Sequence, residues 1–211
     1  MSLAAIEEVR YLLGRGYRRE SAVRFVGDRY VLDKPQRMML YRCVCPLEVS
    51  KERKNKIVSA DVLPKHNLSI DGFNVLWTVN SALRDRPIYM SDDFIVRDIS
   101  IQKGEPSVDE LSEAIALTIN AISILHPLKI FFFFDRPISH SGEVASEIAR
   151  LLSKRSLPGC SQTSPNTDMD VLRLDGVVAT SDSIIIDKAL MVFDLGAYVI
   201  GKFLRIDPIK I

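Results

Sequence analysis

The sequence predicts an α/β fold, in which a parallel sheet carries helices on both faces and follows a small all-helical domain. Apolar residues recur at helical spacing in the first part of the chain, whereas continuous apolar runs alternate with helical stretches further on. Charge divides the chain in the same way. Residues 1–66 hold 14 Lys+Arg and 8 Asp+Glu, a balance of +6, and residues 67–211 hold 14 and 19, a balance of −5. We therefore predict a basic helical domain at 1–62 and an α/β domain at 66–211.

The helical domain contains three clear periodic segments. The first begins near Leu3 and ends at Gly14 and Gly16, since glycine commonly terminates helices. A second stops near Gly27, and a third starts after Asp33, where Pro35 suits a first helical turn. The charge-rich stretch at 50–56 is expected to be an exposed helix or a linker.

The second part combines strand-like and helix-like segments. We predict strands at 68–76, 88–89, 94–101, 128–134 and 176–180, and helices at 108–125 and 141–153. The two short strands at 88–89 and 94–101 are consistent with a hairpin. The stretch 156–167 is polar and rich in turn-forming residues, which predicts a loop.

The composition and the N-terminal residues indicate the cellular localisation of the protein. The chain is 47% hydrophobic and 26% charged, as is usual for globular proteins, and no apolar stretch approaches the roughly 20 residues of a membrane span. Glu7, Glu8 and Arg10 stand where a signal peptide would be apolar. Three cysteines are too few for a disulfide framework. We predict a cytoplasmic protein without a membrane partner, and a homodimer is compatible with the sequence.

Three of the apolar runs end on or near an aspartate: Asp71, Asp135 and Asp182. Ligands of open α/β sheets bind outside the carboxyl ends of the strands, so these carboxylates would meet if their strands are parallel neighbours. Carboxylates held close together repel one another, and a divalent cation removes that penalty. Hard oxygen ligands favour Mg²⁺ or Mn²⁺.

Each of these aspartates also has a structural alternative. Asp135 precedes a turn, and Asp182 precedes a predicted helix, so both could cap backbone N–H groups. A cap explains Asp71 less well, because it lies inside an apolar run. The adjacent Gly72 would allow a sharp turn, and the Asn74 amide could hold Asp71 in place or contact a phosphate.

These motifs resemble the PIN/NYN superfamily of metal-dependent nucleases. IDGFNVL is similar to the end of that family's first strand, and VVATSDSIII is similar to a later strand with its T/S-x-D motif. The whole chain resembles a mainly archaeal family that joins a helical N-terminal domain of unknown function to a PIN-like domain. The stretches that carry this wider resemblance are YLLGRGYRRESAVRFVG, IDGFNVLWTVNSAL, FFDRPISHSGE and ATSDSIIID.

The resemblance implies a PIN-like three-layer fold and a Mg²⁺- or Mn²⁺-dependent phosphodiesterase that acts on RNA. It carries the metal-binding and catalytic roles to Asp71 and Asp182. Asp135 is a further candidate for both roles, and Asp187 is a plausible additional metal ligand.

A segment after Asp135 departs from the general PIN pattern and could contact the substrate or its phosphates. It comprises Ser139, His140, Ser141, Gly142 and Glu143, and we group Asn74 with it as a substrate-binding candidate. Glu143 and Asp135 are also the candidates for the acidic residue that PIN nucleases place on a central helix.

Two other functions stay open at this point. The protein could be a nucleic-acid-binding module that keeps the PIN-like fold without catalysis. It could also be a phosphatase or nucleotide hydrolase, although no Asp-x-Asp follows the first strand and no P-loop glycine pattern occurs.

Overall fold

Four helices come first in the computed structural model, which describes residues 3–99 and 107–211. They are α1 Leu3–Gly14, α2 Arg19–Arg29, α3 Lys34–Cys43 and α4 Leu47–Lys54. Asp33 begins α3 with a capping box, in which its side chain accepts from the Gln36 N–H and the Gln36 side chain accepts from the Asp33 N–H. Their buried apolar residues form a separate core that includes Ile6, Val26 and Leu40. We call residues 3–56 the helical unit.

A four-stranded parallel sheet forms the centre of the rest of the chain. Its strands are β1 Leu68–Asp71, β4 Ile130–Asp135, β5 Gly159–Ser164 and β6 Val177–Ala179, in the order β5-β4-β1-β6. The helices that accompany it are α5 Gly72–Leu83, α6 Val108–Leu125, α7 Ser141–Lys154, α8 Thr167–Arg173 and α9 Ser183–Lys188. The prediction of a mixed α/β fold, with a parallel sheet and preceding helices, is confirmed.

Side chains alternate across this sheet, so both of its faces are buried. On β4, Phe132 and Phe134 join the core that contains residues of α5, α6 and α7. Phe131 and Phe133 face the other way and pack with residues of α8 and α9. A strand buried on both faces reads as a continuous apolar run, which is why IFFFF shows no polar alternation.

A second, smaller sheet connects the α/β part to the helical unit. It contains β2 Ile88–Met90, β3 Val96–Asp98 and β7 Ile209–Lys210, and β2 and β3 form the predicted antiparallel hairpin. Tyr89, Ile99 and Ile211 pack against the core of the helical unit. The two parts of the chain are therefore joined by shared apolar packing.

Shorter elements complete the chain. They are a 3-10 turn at Ala60–Lys65, α10 Leu195–Val199 and a π-helical turn at Ile200–Leu204. Across residues 3–99 and 107–211, no helix is both long and apolar enough to cross a membrane.

Two predicted boundaries in the apolar runs differ from the structure. The strand predicted at 68–76 ends at Asp71, and Gly72 begins α5. Most of α5 is buried, so its sequence lacks the polar face that would mark a helix. The strand predicted at 94–101 covers Val96–Asp98, and residues 100 and 101 lie outside the described residues.

The polar loop predicted at 156–167 is also wrong in part, because Gly159–Ser164 forms strand β5. Among the described residues this strand pairs with β4 alone, which places it at the edge of the sheet. Most of its residues are exposed or half-buried. An edge strand with little burial needs no apolar alternation, which is the signal that would have predicted it.

We expect Gly72→Ala to destabilise the protein by about 1–3 kcal/mol, because a Cβ at this position overpacks the core. A Cβ built on Gly72 would lie 2.2 Å from Cε1 of Phe134, a ring that is itself fully buried. Urea unfolding checks this. Gly142→Ala is the control, since within residues 3–99 and 107–211 no atom outside its chain neighbours and its own helix backbone lies within 4 Å of a Cβ placed there. Equal midpoints for the two variants would contradict the close packing of Phe134 on Gly72.

Candidate functional site

Four aspartates gather where the central strands end. Asp71 is the last residue of β1, and Asp135 is the last residue of its parallel neighbour β4. Asp182 follows β6, which pairs with the other side of β1, and Asp168 lies in the first turn of α8. We call these four residues the carboxylate edge. The order of the strands explains why aspartates from distant parts of the sequence meet here.

Asp71 is the most buried member of the carboxylate edge, with 3% of its surface exposed. Its Oδ2 accepts two hydrogen bonds, from the Asn74 side-chain amide at 2.5 Å and from the Thr180 hydroxyl at 2.9 Å. Its Oδ1 accepts no hydrogen bond from the part of the chain that the structure describes. Two donors thus fix the orientation of the carboxylate and leave one oxygen for another ligand.

Electrostatics connect the members of the carboxylate edge. The pKa of Asp71 is raised to about 7. Burial is the largest cause and the charges of Asp135 and Asp182 add to it, while the hydrogen bonds from Thr180 and Asn74 oppose the rise. Burial likewise raises the pKa of Asp168, and the charges of Asp182 and Asp135 add to the effect. An added cation would relieve this repulsion.

Asp182 has the capping role that was its structural alternative. Its Oδ1 accepts from the backbone N–H groups of Ile184 at 2.7 Å and Ile185 at 3.3 Å, at the start of α9. Its own N–H donates to the Thr180 hydroxyl at 3.0 Å. The cap uses only Oδ1, so the same side chain can also contribute to the carboxylate edge.

The loop between β6 and α9 is tied to the start of α5. The Ser181 hydroxyl donates to Oδ1 of Asn74 at 3.1 Å, and the Asn74 amide donates to Asp71. Thr180 completes the connection through its bond to Asp71. Asn74 therefore holds Asp71 in place, which is one of the two roles that its sequence position allowed.

Asp187 was predicted to be a metal ligand, but in the structure it pairs with an arginine. Its two carboxylate oxygens accept from Nε and Nη2 of Arg53, at 2.7 and 2.9 Å. Arg53 belongs to α4 and is 4% exposed, so the exposed helix expected at 50–56 has one buried arginine. With both oxygens engaged by a guanidinium, Asp187 does not join the carboxylate edge.

The predicted substrate-binding segment follows β4 and opens α7. His140 has a left-handed backbone with φ 59°, and its Nδ1 lies 3.0 Å from Oε1 of Glu143. Ser141 begins α7 and is buried, while Ser139 precedes it and Gly142 lies in the first turn. Three residues, 136–138, separate the segment from Asp135, so it follows the carboxyl end of β4.

Sequence reasoning left two members of the site without a role. Asp168 belongs to no motif in the sequence, and Asp170, two residues further on, accepts from the Ser164 hydroxyl. Thr180 was noticed only as the threonine of a T-x-D motif. Thr180 directly follows the buried strand β6, and that position was its available signal. Asp168 lies in the first turn of α8, after the largely exposed strand β5, and had no such signal.

The carboxylate edge suits only some metal ions. Within residues 3–99 and 107–211, no group of three or more His, Cys, Asp or Glu side chains is placed to hold a metal. That excludes, for these residues, the closed protein cage of a structural zinc site. Mg²⁺ commonly takes one or two carboxylates and keeps several waters, and oriented aspartates of this kind fit that requirement.

Comparisons with known proteins agree with the two-part organisation of the structure. Residues 3–56 match the family described as "Protein of unknown function (DUF434)", and residues 60–198 match "Domain of unknown function (DUF5616)". The chain is also 32% identical over 183 residues to "Uncharacterized protein MJ0935" of Methanocaldococcus jannaschii, covering 86% of this chain and 87% of that protein. No solved structure matches the chain. The protein therefore belongs to the DUF5616 family, with a DUF434 region as its helical unit.

Proposed function

We propose that this protein is a Mg²⁺- or Mn²⁺-dependent nuclease that hydrolyses phosphodiester bonds, with RNA as its substrate. The observation that carries the proposal is Asp71, a buried carboxylate at a parallel-strand end that is oriented by two donors and repelled by neighbouring carboxylates. Burying a carboxylate beside others costs stability, and such an arrangement is typical of a functional site. The resemblance of IDGFN and ATSD to PIN/NYN motifs adds the reaction class and RNA.

The residues of the carboxylate edge have distinct roles in this proposal. Asp71 would hold the ion through Oδ1, together with Asp182 or Asp135. When bound, the ion neutralises charge that develops on the phosphate and activates water. Asn74 and Thr180 fix Asp71, and the start of α9 fixes Asp182, so the carboxylates need no rearrangement when the substrate arrives.

A second candidate is a nucleic-acid-binding protein without catalytic activity. The observation in its favour is that, in the described residues, no three His, Cys, Asp or Glu side chains lie close enough together to hold a metal. A phosphatase or nucleotide hydrolase has less support, because the motifs resemble those of nucleases that act on polymers. The experiment below separates all three functions.

We expect the wild-type protein to cleave RNA or single-stranded DNA with Mn²⁺ or Mg²⁺ and not in EDTA. Asp71→Asn and Asp182→Asn should each lower the cleavage rate by at least about a hundredfold, the scale of losing one preorganised electrostatic group. Asparagine keeps an acceptor at both positions, so the bonds from Thr180 and the cap of α9 can persist. Gel analysis of labelled oligonucleotides with and without metal checks this expectation.

Asp175→Asn is the matched control, because this exposed aspartate precedes β6 at the opposite edge of the same sheet. It should cleave at the wild-type rate. Metal-independent cleavage, or cleavage that survives in both site variants, would refute the proposal. Salt-sensitive RNA binding without cleavage would favour the binding protein, and hydrolysis of small phosphate esters alone would favour the phosphatase.

A further inference from the structure

A cleft lies between the helical unit and the loop that carries Asp182. Its volume is about 290 Å³. Helices α2 and α3 form one wall, and the β6–α9 loop with the start of α9 forms the other. The lining residues are Arg19, Glu20, Tyr41, Arg42, Arg97, Ser181, Asp182, Ser183 and Ile184. One member of the carboxylate edge, Asp182, thus shares a cavity with the basic helical unit.

Arg19, on the helical wall of this cleft, uses only one of its three guanidinium nitrogens as a hydrogen-bond donor to the described residues. It is half-buried, and its Nη1 donates to the backbone carbonyls of Tyr41 at 2.6 Å and Val44 at 2.7 Å. These carbonyls orient the guanidinium but carry no charge. Its Nε and Nη2 donate to no atom of residues 3–99 and 107–211.

Arg19 makes no ion pair within residues 3–99 and 107–211, and its guanidinium lies 5.8 Å from the centre of the Tyr41 ring. Burial lowers its pKa, and the charges of Arg53 and Arg97 contribute to the lowering. The carboxylate next in sequence, Glu20, accepts from the Tyr41 hydroxyl at 3.0 Å. Hydrogen bonds and, to a smaller degree, the charge of Arg19 lower the pKa of the exposed Glu20. An anion that entered the cleft would therefore find an oriented guanidinium whose Nε and Nη2 have no hydrogen-bond acceptor among the described residues.

The other charges around the cleft are mostly engaged. Arg97 makes a bidentate ion pair with Asp93, while Arg42 makes one longer contact, 3.4 Å, with Asp98. Three arginines therefore face two carboxylates, Glu20 and Asp182, on the lining. Arg19 and Arg42 supply the available donors, and a guanidinium matches the geometry of a phosphate better than an ammonium does.

We propose that this cleft binds a backbone phosphate of a single-stranded RNA, with Arg19 and Arg42 as its ligands, next to Asp182. The identity of the polymer rests on the proposed function, but binding at this cleft does not require catalysis. The helical unit then forms part of the substrate site itself. A phosphate held by Arg19 and Arg42 would share the cleft with Asp182, which belongs to the carboxylate edge.

The test measures binding of a short labelled single-stranded RNA by anisotropy in EDTA, over a series of salt concentrations. We expect Arg19→Gln to weaken RNA binding about tenfold. The slope of the logarithm of the binding constant against the logarithm of the salt concentration should become about 0.7 less steep, the value for one phosphate contact on a single strand. Arg24→Gln is the matched control, because Arg24 is exposed on the same helix and does not line the cleft. It should change binding and slope much less.

A second pair of variants avoids any loss of folding that Arg19→Gln could cause. Ile184 is 58% exposed on the rim of the cleft, so a charge placed there should not disturb the core. Ile184→Lys should strengthen RNA binding several-fold and Ile184→Glu should weaken it. The same changes at Leu128, which is 57% exposed before the first residue of β4 and so lies at the opposite end of the sheet, should have no effect.

The outcomes separate this proposal from the nuclease itself. Cleft variants that lose RNA binding, in a protein that never cleaves, would support the cleft and reject the nuclease. Metal-dependent cleavage with normal RNA binding in every cleft variant would support the nuclease and reject the cleft. Equal effects at Ile184 and Leu128, or a wild-type protein that binds no RNA, would overturn the cleft proposal.

Discussion

We expect Asp71→Asn to raise the free energy of unfolding by about 1–3 kcal/mol at pH 8 in EDTA, although it removes a residue that we place in the active site. The pKa of Asp71 is raised from 3.8 to about 7, with burial as the largest cause, so the folded protein must hold an unfavourable buried charge above that pH. A shift of this size corresponds to about 4 kcal/mol at most. The amide introduced at Oδ1 lacks a partner among the described residues, which offsets part of the gain.

The pH dependence has a definite sign. Because the folded-state pKa is the higher one, the folded state binds more protons than the unfolded state between pH 4 and 7. Wild-type stability should therefore fall as pH rises through this window, and the loss should be complete above about pH 7. The variant lacks this titration, so its advantage should be present at pH 8 and absent near pH 4. Urea unfolding at a series of pH values measures both proteins.

Divalent metal should reverse the order of the two proteins. An ion that binds only the folded wild type stabilises it in proportion to the logarithm of its concentration, whereas Asp71→Asn should gain little. Asp175→Asn should follow the wild type with and without metal. A variant that is less stable than the wild type at pH 8 in EDTA would show that the charge of Asp71 is compensated and serves the fold.

The spacing of apolar residues predicted the elements that bury one face and expose the other. Helix α6 has the predicted bounds, since Ser107 caps its start and His126 takes a left-handed conformation at its end. Strand β5 was missed because most of its residues are exposed or half-buried, so its sequence does not alternate between apolar and polar residues. The start of α5 was misassigned because a helix that is buried on most sides looks like a strand in sequence.

The candidate site was predictable in one respect only. Alternation of strands and helices was enough to bring Asp71, Asp135 and Asp182 to one edge, since parallel neighbours end together. The side-chain partners were not predictable, because they come from distant positions: Arg53 and Asp187 are 134 residues apart. A local reading of Asp187 as a ligand could not anticipate a guanidinium from another unit of the protein.

Asp93→Asn should be among the most destabilising single changes, at about 3–5 kcal/mol. Asp93 is 1% exposed and accepts two hydrogen bonds from Arg97, at 2.6 and 2.9 Å, and one from Arg53 at 2.9 Å. Neutralising it leaves two arginines buried without their shared carboxylate. The expected loss should appear in urea unfolding and should change little with added salt, because buried pairs are poorly screened.

A double-mutant cycle separates the ionic pairing from the loss of packing. Arg97→Met should also destabilise the protein strongly, whereas Asp93→Asn combined with Arg97→Met should cost clearly less than the sum of the two. Additive effects would mean that the two charges act independently. Asp175→Asn, an exposed change of the same kind, should stay within about 0.5 kcal/mol of the wild type.

The same variant tests whether the helical unit supports the carboxylate edge. Arg97 donates from Nε to the Ser181 carbonyl at 2.8 Å, and Arg53 donates to the Ser183 hydroxyl at 3.3 Å, so both arginines hold the loop on either side of Asp182. Arg53 comes from α4, which makes this contact a direct connection between the two family regions. Without urea, and at a temperature where Asp93→Asn remains folded, added divalent metal should therefore stabilise the variant less than it stabilises the wild type. Full metal stabilisation in the variant would show that the loop keeps its position without these arginines.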